Sequence, residues 1–316
     1  MQKDTLLPRA CIDTIIALAM RSRMKTIIMR AVLLVGLILV LSFSCRKSPK
    51  SPATCEFSNA GNDFFTIVDN NDSPERAFNV FCKKVDVFGL KVYAVAGVSD
   101  AELLHCANVL AQYLDNDEDG VIDNQLVLDK MLENKACMTL FSKERSAEQR
   151  RFFNSLQGDE YVTQDLYGTE TFPGWNLTSP FDATLEEVLH LVTFSGYSRV
   201  YPSVFGEMQG SEIANAMDLA RGGQFTDIPS AYPAGAWYSY DDRTCEYNCQ
   251  VTEYFYWALT SLLGAQDYPG RLDEIGHEWK ANTPALVQSM DPAVYALLTD
   301  TTYHLPTQLP DGTYQR

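Results

Sequence analysis

Hydrophobic and polar positions recur along most of the chain with the period of an α-helix. Apolar residues spaced three and four apart predict helices over 124–134, 145–156, 184–194, 211–221, 251–263, 271–281 and 292–299. Another helix is expected to begin after Ser99 and end at Leu114, because Ser99 and Glu102 have the spacing of a capping box. Residues 91–98 and 161–172 have the composition or alternation of strands. The sequence therefore predicts a mainly α fold, of the α+β type with a minor β element.

The first 71 residues lack this periodicity. Residues 24–45 contain a basic start, an apolar run and small residues before Cys45, which is typical of a secretion signal. The position of Cys45 resembles that in a bacterial lipoprotein signal, which implies lipidation; ordinary cleavage is the alternative. We interpret 1–44 as leader and signal peptide, 45–71 as a flexible tether and 72–316 as a single mainly helical domain. The protein is expected to be exported, either secreted or held at a membrane through Cys45.

Export affects the interpretation of the cysteines. Apart from Cys11 and Cys45, the chain contains Cys55, Cys82, Cys106, Cys137, Cys245 and Cys249. An even number in an oxidising compartment favours disulfide bonds over free thiols. Cys245 and Cys249 are expected to pair because they can close a small loop, whereas the pairing of the other four stays open.

The charge of the chain excludes one class of partner. The formal net charge is −16, and loss of the basic leader would make the protein more acidic still. Nucleic-acid binding requires a basic surface that displaces counterions from phosphates. The sequence has no such cluster after the leader, so no nucleic-acid partner is expected.

Alternating carboxylates precede the second predicted helix. The segment DNDEDGVID resembles the loops of EF-hand and dockerin-type proteins, which bind calcium through oxygen ligands. Gly120 would permit the sharp bend in the loop. The resemblance implies an EF-hand-like helix-loop-helix over 115–126, with Ca²⁺ held by Asp115, Asp117, Asp119, the carbonyl of Val121 and Asp123.

The loop departs from the EF-hand pattern at its last ligand position. Leu126 stands where the family places an acidic residue, so Asp129 or water would have to complete the coordination. The alternative interpretation is an aspartate-rich turn that only begins a helix.

The helix predicted over 184–194 carries the second candidate site. Glu186 and His190 are four residues apart and share one face, as do the two histidines of an HExxH zinc site. The segment resembles a zincin helix whose first histidine is glutamate, which implies that Glu187 is the general base. Glu253, the one carboxylate of a strongly apolar downstream helix, would supply a third Zn²⁺ ligand. The alternative is that Glu186 and Glu187 favour the helix N-terminus while His190 packs in the core.

From Asp115 to the C-terminus the chain also resembles a group of uncharacterised secreted proteins. The shared segments are DNDxDG, EExxH and a stretch like TEYFYWAL. This resemblance implies no established reaction. No Gly-x-Ser-x-Gly segment suggests a serine hydrolase.

Two functions are therefore compatible with the sequence. The first is an exported calcium-binding protein that is a zincin-like metal-dependent hydrolase, such as a peptidase. The second is a noncatalytic, calcium-stabilised surface lipoprotein that binds a polymer or a protein partner. Its contacts would be made by an aromatic cluster of Trp237, Tyr238 and Tyr240.

Overall fold

Five strands form one mixed sheet in the computed structural model, which describes Cys55 and residues 64–158 and 160–316. The strands, in sheet order, are β1 (Val68–Asp69), β2 (Lys83–Val87), β3 (Leu90–Ala94), β4 (Cys137–Phe141) and β5 (Thr163–Tyr167). The first three are antiparallel, whereas β3, β4 and β5 run parallel. Every residue of β4 is buried, as is usual for a strand in the middle of a parallel sheet.

Helices make up most of the remaining regular structure. They are α1 (Asp100–Leu114), α2 (Gln125–Glu133), α3 (Ala147–Ser155), α4 (Thr184–Val192), α5 (Ser198–Val200), α6 (Pro202–Phe205), α7 (Glu212–Ala220), α8 (Tyr247–Leu262), α9 (Arg271–Ile275), α10 (Pro284–Met290) and α11 (Pro292–Leu298). A π-helical segment, Thr193–Tyr197, joins α4 to α5. Short 3₁₀ helices cover Arg76–Val80, Gly168–Glu170 and Thr301–Tyr303. The fold is mixed α and β with more helix than strand, as the sequence predicts.

Helix α1 confirms the prediction made from its capping box. The Ser99 side chain accepts a hydrogen bond from the Glu102 amide, and the Glu102 carboxylate accepts one from the Ser99 amide. The helix packs against β2, β3 and α4. The Tyr113 hydroxyl donates to the carbonyl of Leu185, at 2.9 Å, and this bond ties α1 to the first turn of α4.

Strand β2 was missed because its charged residues obscure its burial. Lys83 is only 3% exposed, and its ammonium donates to the Val98 carbonyl and to the Asp100 carboxylate, each at 2.7 Å. A two-residue turn at Phe88 and Gly89, both with positive φ, connects β2 to β3. The charged side chain is buried because distant residues satisfy it, which local periodicity does not reveal.

Folded structure begins before the predicted boundary at residue 72. Phe65 and Ile67 are buried in the core, and Val68–Asp69 pairs with β2. Cys55 is bonded to Cys82. These contacts hold the end of the segment interpreted as a flexible tether. The leader, the signal segment and Cys45 lie outside the described residues.

The cysteines form fewer disulfides than the even count favours. Cys245 and Cys249 are bonded as predicted, and Cys55 pairs with Cys82. Cys106 on α1 and Cys137 on β4 are free and buried, so the expectation of bridges throughout is wrong for these two. Both thiols pack as small apolar side chains, and burial raises the pKa of each.

The helix predicted over 271–281 is shorter than expected. Helix α9 ends at Ile275, after which the chain turns so that Trp279 is fully buried. The Trp279 indole donates to the Ser261 hydroxyl, at 2.9 Å. This tertiary contact replaces further helical turns. Within the described part of the chain, no helix combines the length and apolar character needed to span a membrane.

Candidate metal centre

A buried contact between Asp182 and His105 fixes the start of α4, the helix that carries the candidate centre. Asp182 Oδ1 accepts hydrogen bonds from the amide and hydroxyl of Thr184, the first residue of α4. Its other oxygen lies 2.6 Å from Nε2 of His105 on α1. Because both side chains are almost fully buried, the orientation of α4 relative to α1 is closely determined.

Helices α4 and α8 bring together the four residues that the sequence singled out. Glu186, Glu187 and His190 each offer a potential ligand atom, and these atoms lie within 4.8 Å of one another. Glu253 approaches from α8, with its carboxylate 3.6 Å from His190 Nε2. The opposite ring nitrogen, Nδ1, is 3.7 Å from the Glu187 carboxylate. His190 therefore lies between two carboxylates that are far apart in sequence.

The Nε2 atom of His190 is buried and has no hydrogen-bond partner among the described residues. Its separation of 3.6 Å from Glu253 is too long for a hydrogen bond. Two ligands placed about 2.1 Å from a tetrahedral zinc ion stand roughly 3.4 Å apart. The spacing of Nε2 and the Glu253 carboxylate therefore fits two ligands of one metal ion.

Glu187 approaches the other side of the imidazole. Its carboxylate accepts a hydrogen bond from the Gln164 side chain on β5, at 2.5 Å. A carboxylate beside Nδ1 favours a proton on that nitrogen and leaves the Nε2 lone pair free for a metal. Gln164 is a residue of the centre that the sequence did not indicate, because its contact with Glu187 depends on the packing of β5 against α4.

The environment raises the pKa of two acids in the centre, Glu186 and Glu253. Burial, with the nearby charges of Glu253 and Glu187, raises the pKa of Glu186 to about 8, although His190 and Tyr256 oppose this shift. Burial also raises the pKa of Glu253, against the opposing charge of His190. Without a metal, protons partly neutralise these carboxylates.

In His190, burial and the neighbouring charges shift the pKa in opposite directions. Burial alone would lower its pKa, but the charges of Glu253, Glu187 and Glu186 outweigh burial and raise the pKa to about 10. The imidazole is thus protonated at neutral pH when no metal is present. A metal ion would have to displace protons from the centre in order to bind.

The predicted aromatic cluster belongs mostly to the protein interior. Tyr238 is fully buried and donates to the Gln250 carbonyl, while the half-buried Trp237 donates to Asp291. Tyr240 is half-buried and borders the centre, where its hydroxyl is hydrogen bonded to Glu253. The expectation that these rings form one exposed contact surface is wrong.

The second candidate site is the loop that follows α1. Potential ligand oxygens of Asp115, Asp117 and Asp119 lie within 4.8 Å of one another. Asp115 is fully buried, and its Oδ2 atom accepts from the Gly120 amide at 3.0 Å, while its Oδ1 atom has no hydrogen-bond partner among the described residues. Gly120 has φ +85°, which glycine adopts without strain.

The remaining predicted calcium ligands are arranged differently. The Asp123 carboxylate accepts a hydrogen bond from the Asn116 amide, at 2.7 Å. Leu126 is exposed and provides no oxygen, and the Asp129 carboxylate accepts from Gln125. The structure therefore gathers three of the predicted carboxylates into a group and engages Asp123 in closing the loop.

The C-terminal segment holds this loop in a way that the sequence did not indicate. The Tyr314 hydroxyl donates to Asp115, and the Gln315 amide donates to the Glu118 carboxylate. Asn116 Oδ1 accepts from the amides of Thr307 and Gln308, both at 2.8 Å. These partners are about 190 to 200 residues apart in sequence, so no local pattern predicts them.

Comparison of the chain with protein-family models, with curated proteins and with solved structures finds no match. Function is therefore inferred from the chemistry of the two sites.

Proposed function

We propose that the protein is an exported metal-dependent hydrolase that cleaves peptide or similar carbonyl bonds. Glu186, His190 and Glu253 are the proposed ligands of a zinc ion. The observation that carries the proposal is the buried His190 Nε2 atom, which lacks a hydrogen-bond partner among the described residues and lies 3.6 Å from Glu253. A buried polar atom without a partner is costly, and coordination would remove that cost.

A bound zinc ion would act as a Lewis acid and bring the pKa of its water close to 7. Glu187 is the proposed general base, which accepts the proton of the attacking water and passes it to the leaving amine. The hydrogen bond from Gln164 orients the Glu187 carboxylate for this work. His190 and Glu253 contribute binding from two helices, so that the centre depends on the packing of α4 against α8.

We also propose a structural calcium ion in the EF-hand-like loop. Asp115 supports this role because its fully buried Oδ1 atom has no hydrogen-bond partner among the described residues. Asp117 and Asp119 would add charged oxygens, and the carbonyl of Val121 a neutral one. Calcium would remove the mutual repulsion of the carboxylates and fix the loop against the C-terminal segment.

A noncatalytic role has one observation in its favour. His190 and Glu186 are both protonated at neutral pH in the metal-free centre, and an imidazolium beside the Glu187 and Glu253 carboxylates is a reasonable structural ion cluster. In that case the protein would be a calcium-stabilised surface lipoprotein, attached through Cys45, that binds a polymer or a protein.

Metal content together with the Glu187→Gln variant distinguishes these roles. A hydrolase should retain one zinc ion per chain after dialysis, as measured by elemental analysis. It should also cleave quenched fluorescent peptides. Glu187→Gln should retain zinc and lose about 10²–10⁴-fold in rate. Calcium without zinc, with no cleavage by the parent protein, would support the noncatalytic role. Loss of zinc in the variant would make Glu187 a ligand instead.

A further inference from the structure

A chain of buried polar side chains connects helix α9 to the candidate metal centre. Its members, in order, are Arg271, Gln266, Tyr256 and Glu186. Gln266 is fully buried in the turn after α8, and Arg271, the first residue of α9, is only 7% exposed. Polar groups removed from water are costly unless they are paired, and the partners of each group determine which atom donates.

Arg271 fixes the direction of the hydrogen bonds in this chain. Its Nε atom donates to Gln266 Oε1, at 2.7 Å. A guanidinium group has only donors, so the atom of Gln266 that faces it must be the amide oxygen. The amide nitrogen of Gln266 lies 3.2 Å from the Tyr256 hydroxyl and 3.0 Å from the Thr260 hydroxyl. An NH₂ group has no acceptor, so both hydroxyls accept from Gln266.

The hydrogen of the Tyr256 hydroxyl is directed to Glu186. The hydroxyl is hydrogen bonded to the Glu186 carboxylate. An ionised carboxylate only accepts, so Tyr256 is the donor when Glu186 is a metal ligand. The Tyr256 ring also packs edge-on against the His190 imidazole, with the ring centroids 5.7 Å apart. The tyrosine is therefore held beside the centre by its ring and connected to it by its hydroxyl.

We infer that Tyr256 is a positioning residue of the candidate metal centre. Its hydroxyl holds one oxygen of Glu186 and leaves the other oxygen for the metal ion. The bonds from Arg271 through Gln266 keep that hydroxyl a donor toward Glu186. This inference rests on the proposed function, because it assigns a role toward a proposed metal ligand. Partners that hydrogen bond to ligating carboxylates orient them, and their loss typically weakens metal binding by about 10–100-fold.

Removal of the hydroxyl tests this role in the full chain. Tyr256→Phe should raise the dissociation constant of zinc by about 10–100-fold, measured by competition with a chelating dye. Tyr254→Phe is the matched control. Tyr254 lies on the same helix and is also fully buried, but its hydroxyl donates to Asp291, at 2.5 Å. The control should retain the zinc affinity of the parent protein, and an equal loss in both variants would overturn the inference.

Cobalt provides a readout that a merely structural tyrosine would not change. Bound Co²⁺ absorbs visible light more weakly as its coordination number rises. Without the hydrogen bond, both oxygens of Glu186 would be able to bind the ion. The absorption per bound Co²⁺ should therefore be weaker in Tyr256→Phe than in the parent protein and in Tyr254→Phe. An unchanged spectrum in Tyr256→Phe would overturn the inference.

Gln266→Glu reverses the direction of the hydrogen bonds. The new carboxylate, kept ionised by Arg271, only accepts, so the Tyr256 hydroxyl would donate to it rather than to Glu186. Gln266→Glu should therefore weaken zinc binding about as much as Tyr256→Phe. The two changes together should cause no further loss, because both remove the same hydrogen bond. Losses that add in the double variant would overturn the inference.

These measurements separate the inference from the proposed function. A parent protein that binds no zinc would overturn both. Zinc binding and peptide cleavage that persist unchanged in Tyr256→Phe would overturn the inference alone and leave the proposed function intact.

Discussion

The two acidic sites differ in where their side chains come from and in what neutralises them. The loop after α1 takes its three grouped aspartates from five consecutive positions, and its own amides donate to all three of them. The centre between α4 and α8 joins residues from two helices, and protons on His190 and Glu186 balance its charge. A contiguous motif is thus built mainly by the backbone, whereas a distributed site depends on packing and pH.

The largest expected effect is a loss of zinc affinity that leaves calcium affinity unchanged. Glu253→Gln should weaken zinc binding by more than about 100-fold, since even outer-shell partners of a metal contribute 10–100-fold. Calcium affinity should not change. Titration with each ion, followed by elemental analysis, measures both. Glu212→Gln, at an exposed position in the first turn of α7, is the matched control. Unchanged zinc affinity in Glu253→Gln would remove this residue from the centre.

The next effect is a dependence of stability on pH. The folded pKa of Glu186 is raised to about 8, and that of His190 to about 10. Both groups hold protons that the unfolded chain releases, so their stabilising contribution is present at low pH. It is lost as pH rises through about 8 and then about 10.

The free energy of unfolding of the zinc-free protein should therefore fall by on the order of a few kcal/mol between pH 5 and pH 10. The melting temperature should fall with it. Excess calcium is present throughout, so that the calcium occupancy of the loop after α1 does not change with pH. Added zinc should flatten the decline, because coordination replaces the protons. A melting temperature that rises over this range would contradict the protonation of the centre.

A smaller expected effect is the stabilisation of the protein by calcium bound to the loop after α1. At a calcium concentration 100 times Kd, binding should stabilise the protein by about 2.7 kcal/mol. Asp119→Ala should remove this increment in thermal melting and leave zinc binding unchanged. Asp129→Ala is the control, because that exposed carboxylate bonds to Gln125 outside the grouped aspartates. If calcium raises the melting temperature equally in Asp119→Ala, the loop is only a turn that begins α2.

The smallest effect concerns the disulfide at the start of α8. Replacing both Cys245 and Cys249 with serine should cost about 2 kcal/mol, because the bond closes a short loop. Zinc affinity should fall more than calcium affinity, because α8 carries Glu253. Chemical denaturation of the variant measures the cost.

Thiol labelling checks the cysteine assignment itself. Cys106 and Cys137 should react only after unfolding, because both are buried. Labelling of Cys245 or Cys249 in the unreduced protein would contradict the bond between them.

Local signals in the sequence were sufficient where local contacts build the structure. Ser99 and Glu102 predicted the start of α1 because the capping box lies within four residues. The spacing of Glu186 and His190 predicted a shared helical face. By contrast, β2 was missed because Lys83 is buried through contacts with Val98 and Asp100.

Distant contacts account for the other differences. The support of Glu187 by Gln164 depends on the packing of β5 against α4. The bond from Tyr314 to Asp115 joins residues 199 positions apart. The free state of Cys106 and Cys137 follows from their places on α1 and β4, which an even count of cysteines does not reveal. In each case the deciding partner is supplied by the tertiary structure.

The π-helical turn Thr193–Tyr197 has a consequence for how such a protein can diverge. It separates Glu186 and His190, which precede it, from Arg199, which follows it. Each residue of an α-helix advances the chain by about 100° around the axis. Deletion of one residue here would rotate the segment from Ser198 onward relative to the centre without altering any proposed ligand. The surface beside the centre would therefore change in a single genetic step while the proposed metal ligands are inherited intact.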